Sequence, residues 1–109
     1  MTKEELAALP EKIRIATEAG TAVAQACPDD GGSANLDHVV IPMPGMRAAT
    51  LEKYGLPGNL WEPSTYHPRG LHLPANFGGI GHRNYAGVQA MHQSLKAQGV
   101  DCYVYYQMD

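Results

Sequence analysis

The sequence predicts an α+β fold in two layers: a small sheet of about three strands, covered by two main helices, with a long proline- and glycine-rich loop. Three observations carry this. Apolar residues recur at helical spacing near both ends of the chain, around 10–27 and 84–98. Short β-branched and alternating runs, "ANLDHVVIP" and "VDCYVYYQM", read as strands. Between them Pro57, Pro63, Pro68 and Pro74 forbid a continuous helix. A chain of 109 residues with 44% hydrophobic content is ordered and forms one domain, 1–109.

Taken in order, Thr2 and Glu5 have the spacing of a capping box, and "KEELAAL" begins a short helical turn. Pro10 suits the first turn of a longer helix at about 10–27. Its apolar stripe is Ile15, Ala16, Ala19, Val23, Ala26 and Cys27, mostly small, so close packing against a neighbour is expected. Arg14 and Glu18 are four apart on the other face, and Pro28 with "DDGG" stops the helix. A strand follows around Val39–Ile41, then a short helix in "MRAATLEKYG" that Gly55 ends as a left-handed cap. The segment 55–82 offers only "GLHLP" as a strand, and a loop this long is usually functional or ordered by a ligand. Asn84 can cap a last helix with the apolar face Tyr85, Val88, Met91, His92 and Leu95, ended by Gly99. In the final strand Val100, Cys102, Val104 and Tyr106 share one face, while Asp101, Tyr103, Tyr105 and Gln107 share the other. "GLHLP", the last helix and this strand are expected to form a parallel crossover unit. Val40, Ile41, Val88, Leu95 and Val104 are the expected core. No internal repeat is present.

The charge of −3, with 8 basic residues thinly spread, lacks the basic stripe of a general nucleic-acid binder. No apolar run approaches the roughly 20 residues that span a bilayer, and "MTKEELAALPEK" has no signal-peptide core. A cytoplasmic location without membrane contact is expected. Cys27 and Cys102 lie in apolar patterns and read as structural thiols, a bridge between them being the other reading.

Chemistry is most concentrated in "ANFGGIGHRNYAG". Glycines before a helix allow close backbone approach, free N–H groups favour anions, and Arg83 and His82 add donors. Gly79, Gly81, His82, Arg83 and Asn84 are therefore a candidate site for an anion such as phosphate. The loop is neither a Walker A nor a dinucleotide motif. The plain alternative makes Gly78, Gly79 and Gly81 positive-φ turn residues and Arg83 a solvated one. His67, His72 and His82 cluster in sequence, but His67 and His72 are five apart and face opposite ways in extended chain. On a helix, His82 and His92 stand roughly 80° apart. No metal and no cofactor is expected. Acid–base work by these histidines with Asp37 or Glu62 is conceivable without support from spacing. Ser33, Ser64 and Ser94 lack a nucleophile setting. Trp61, Tyr66, Arg69, Phe77, Tyr103 and Tyr105 have the composition of an interaction surface. Their alternative role is a second small core beneath the loop.

The last third, "GGIGHRNYAGVQAMHQSLKAQGVDCYVYYQMD", resembles small uncharacterised proteins carried by phages and mobile elements. The resemblance covers less than a third of the chain and implies no particular activity. Small acidic proteins of that kind often bind a host protein. The first functional expectation is thus a non-enzymatic protein-binding protein, for instance an inhibitor of a host defence system. The alternative is a small-ligand-binding or phosphoryl- or ester-processing module that holds a phosphate-containing ligand on the glycine loop.

Overall fold

The computed structural model describes residues 1–28, 35–75, 77 and 81–107. The elements are α1 (Lys3–Ala26), β1 (His38–Pro42), α2 (Ala48–Lys53), β2 (Asn59–Trp61), β3 (Gly70–His72), α3 (His82–Ala97) and β4 (Tyr103–Tyr105). The fold is α+β as expected, with four strands rather than about three, in the order β2-β3-β1-β4. Every neighbouring pair is antiparallel: β1 with β3, β1 with β4, and β2 with β3. The expected crossover from β3 through α3 to β4 is present in direction only. The two strands run the same way, but β1 lies between them, giving a split β-α-β unit.

The capping box is formed: Thr2 N donates to Glu5 Oε1 at 2.8 Å, and Glu5 N donates to Thr2 Oγ1 at 3.1 Å. The chain does not break at Pro10, however, and α1 is one helix of 24 residues with Pro10 inside it. Proline removes one donor there, but Leu6, Leu9 and Ile13 are buried on either side of it and hold the axis together. Arg14 bridges Glu11 and Glu18 on the exposed side. Gly55 and Gly99 end α2 and α3 at positive φ. In each case two bonds satisfy the last carbonyls: Gly55 N to Glu52 O and Leu56 N to Leu51 O, then Gly99 N to Lys96 O and Val100 N to Leu95 O.

The buried face of α1 differs from the expected one. It is Leu6, Leu9, Ile13, Ala16, Gly20 and Ala24, while Ile15 and Val23 are 42% and 44% exposed. The reason is the contact with α3. A Cβ on Gly20 would stand 2.6 Å from Phe77 Cε1 and 2.7 Å from the Gly87 carbonyl oxygen; one on Gly87 would stand 2.5 Å from Phe77 Cγ. The seam thus takes small residues, and hydrophobicity did not choose the face. Phe77 is a buried wedge in it, which removes this residue from the expected interaction surface. Tyr85 likewise turns outward, and Gly87 takes its place on the buried side of α3.

α3 packs against β1 and β4, and α1 packs along α3. Val39, Ile41, Leu71 and Val104 meet the helices in one core with Val88, Met91 and Leu95. Val40 is equally buried but points to the opposite face. Among the described residues no helix is long and apolar enough to cross a membrane.

Replacing Gly87 by alanine should destabilise the protein although alanine is the better helix former. The propensity gain is about 1 kcal/mol, and forcing a methyl into a filled seam costs about 1–3 kcal/mol. Urea denaturation should show a net loss that shrinks in a Phe77→Ala background, which removes the ring that the methyl would strike. A stabilised Gly87→Ala variant would mean the seam is loose.

Candidate functional site

Strand alternation sends His38, Val40, Asn59, Trp61, His72, Tyr103 and Tyr105 to the face away from the helices. There the rings gather. Trp61 stacks on His72 with centroids 3.8 Å apart, and His38 stacks on Tyr105 at 5.3 Å. Gly70 stands opposite Trp61 in the register. His67 joins from the 62–69 segment, its ring 5.2 Å from His72 and 5.4 Å from Trp61.

This overturns the expectation that His67 and His72 face apart. The intervening chain is not extended: Ser64 N donates to His67 O at 2.8 Å, and the segment folds back over the sheet. Arg69 secures that fold by donating to Met46 O at 2.7 Å and pairing with Glu62. Arg69, expected on an interaction surface, is half-buried and acts as a brace beside the rings. Tyr66 points outward, 87% exposed.

His72 is the least conventional residue of the face. It is 4% exposed, and its Nδ1 lies 2.6 Å from His38 Nε2. His38 Nδ1 lies 3.1 Å from the Leu36 carbonyl oxygen, which can only accept. With both rings neutral, one assignment satisfies these contacts. His38 carries its proton on Nδ1, His72 Nδ1–H donates to His38, and His72 Nε2 is left with a lone pair. That Nε2 is buried without a hydrogen-bond partner, as is Tyr103 Oη on the same cross-strand row. Burial, then the neighbouring His38 and His67, push His72 down to about 4, so its ring is neutral at neutral pH. Burial also raises the Tyr103 hydroxyl, with Tyr105 adding to the effect.

Beside these rings a cleft of about 280 Å³ opens between the lead-in to β1 and the start of α3. Asn84 is one of its lining residues. Expected as a helix cap, it lies instead inside the first turn, since Gly81 occupies the cap position. Its amide donates to Asn35 Oδ1 at 2.8 Å, to Asn35 O at 3.1 Å and to Asp37 O at 3.3 Å. Asp37, 2% exposed, accepts from Gln107 N at 2.8 Å. These ties join α3, β1 and β4 at one end of the sheet.

The expected anion site is not gathered in this way. Gly79 lies outside the described residues. Gly81 is buried with φ of −122°, not at a positive-φ position. His82 is exposed and stacks on Tyr85, Arg83 Nε donates to Cys27 O at 3.1 Å at the end of α1, and Asn84 turns inward. The three side chains diverge. Cys27 and Cys102 are both free thiols, and burial pushes Cys102 up to about 11, an inert form. His92 Nε2 lies 3.3 Å from Cys102 O, a helix-to-strand tie. Among the described residues no group of three or more His, Cys, Asp or Glu is placed to hold a metal ion.

Sequence reasoning singled out Trp61, Tyr103 and Tyr105 of this site. Spacing alone argues against His67 and His72 acting together, and the one signal for His38 is its place two residues before Val40 in the strand. No family model, curated protein or solved structure matches the chain.

Two outcomes follow from this geometry. Arg83→Ala should lower stability by about 1.5 kcal/mol, because a charged donor leaves a C-terminal carbonyl of α1; an unchanged urea midpoint would remove that role. Stability should also depend on pH through His72. The unfolded chain takes up a proton near 6.5, whereas the folded ring stays neutral down to about 4. Acidification across that window therefore favours the unfolded state, by up to about 3 kcal/mol. Above 6.5 the effect is absent. His72→Gln should flatten this part of the stability–pH curve, and superimposable curves would refute the buried neutral assignment.

Proposed function

We propose that this protein is a non-enzymatic binding protein and that the open face of its sheet receives another protein. The supporting observation is the collection of Trp61, Tyr105 and His67 on a sheet face that, among the described residues, carries no helix, with Tyr66 exposed in the adjoining segment. Trp and Tyr supply large contact area at little conformational cost and are enriched where interfaces hold most of their energy. Trp61 is 37% exposed, enough to be covered by a partner while its inner side rests on His72.

A nucleic-acid partner is the weaker choice. The net charge is −3, and Arg69, the cation nearest these rings in sequence, is engaged by Glu62. The resemblance of the last third to proteins of phages and mobile elements favours a host protein as the partner, with inhibition of a host defence system as one case.

A photo-crosslinking amino acid at position 66 tests this in cells that make the protein. It should give one discrete adduct that a probe at Glu18, on the exposed side of α1, does not give. Trp61→Ala should abolish the adduct while leaving the fold intact, since hot-spot truncation costs about 2 kcal/mol or more of binding. An adduct indifferent to Trp61, or the same adduct from position 18, would move the interface elsewhere.

A further inference from the structure

We infer that the cleft beside His38 and His72 is a binding site for a small organic cation, such as an amine or amidine. The inference does not depend on the protein-binding proposal, although Trp61 borders both surfaces. Asp37, His38, Asn59, Trp61, His72 and Asn84 line the cleft, with the apolar stretch 73–75 on its other wall. No lysine or arginine is among the described lining residues.

Three features of the lining select the ligand. Asp37 is buried with one backbone donor on its carboxylate, and among the described residues it belongs to no ion pair. A buried carboxylate gains most from a cation that also donates hydrogen bonds. His72 also lines the cleft, and its Nε2 is a buried acceptor with no donor, so a second N–H from a ligand that displaces the cover of this atom would complete it. Trp61 offers a partly exposed ring on which a cationic or flat group can rest. An anion would meet a carboxylate and a lone pair, and a purely apolar molecule would leave both unsatisfied. The Asn84 amide is already spent on Asn35 and Asp37 and serves to hold the wall. A volume of about 280 Å³ suits a ligand at the small end of the usual range.

The chain has 1 tryptophan, so its fluorescence reports on this cleft directly. Benzamidine titrated into the full-length protein should give a saturable change at millimolar concentration or below. Benzamide, its neutral counterpart, should bind at least about tenfold more weakly, as expected when one member of a desolvated charge pair is missing. Asp37→Asn keeps an oxygen for Gln107 N and should lose benzamidine by a similar factor. His72→Gln should weaken binding as well, and it carries the test if Asp37→Asn fails to fold. Equal response to the charged and neutral probes, no saturation with benzamidine, or unchanged affinity in a folded variant would each overturn the assignment.

Discussion

The contact between α1 and α3 at Gly20, Phe77 and Gly87 is the constraint on which the remaining architecture rests. Two glycines let the helices approach until backbone and ring nearly touch, and Phe77 fills the space their missing side chains leave. Close packing of this kind tolerates little added volume. It fixes α3 against α1, and α3 in turn lies on β1 and β4. Both long helices are thus committed to one side of the sheet. The other face is left to its own side chains and to the 62–69 segment, and that is where the rings collect.

Local polar ties convert this packing into a defined cleft. The Asn84 amide reaches from α3 to Asn35 and Asp37, and Asp37 reaches on to Gln107 beyond β4. Leu36 N also donates to Gln107 O at 2.8 Å. Three elements are therefore clamped at one end of the sheet by hydrogen bonds, of which the one from Asn84 to Asp37 O is buried. Against that background His72 Nε2, unpartnered like Tyr103 Oη, stands out. An orphaned buried polar atom costs about 1–3 kcal/mol. A fold that satisfies Asn84 three times over leaves this nitrogen bare, and such exceptions to local consistency concentrate at functional positions.

Much of the fold was legible because its signals are local. The capping box at Thr2, the positive-φ glycines Gly55 and Gly99, and the alternation through Val100, Cys102 and Val104 depend on neighbours a few residues away. What escaped depends on distant partners. β2 is three residues long between Gly58 and Pro63, and only its pairing with β3 makes it a strand. The buried side of α1 follows from the space beside Phe77, which no periodicity reports. His67 meets His72 because the chain reverses at 64–67, while His38 reaches His72 only through the β1–β3 register.

The same distinction separates the anion reading of the glycine loop from the cation proposed for the cleft. Glycines, Arg83 and a helix start point to an anion when read along the chain. In three dimensions the first turn of α3 is used for construction: Arg83 holds the end of α1, and Asn84 holds the lead-in to β1. With its cation directed to a backbone carbonyl and its amide directed inward, that turn shapes the neighbouring cleft and supplies it with no positive side chain. The cleft is lined by a carboxylate, an imidazole and an indole. Each of these groups interacts better with a positively charged donor than with phosphate. The preference for a cation is thus a consequence of how the fold uses Arg83 and Asn84, and it could not be read from the glycine-rich stretch itself.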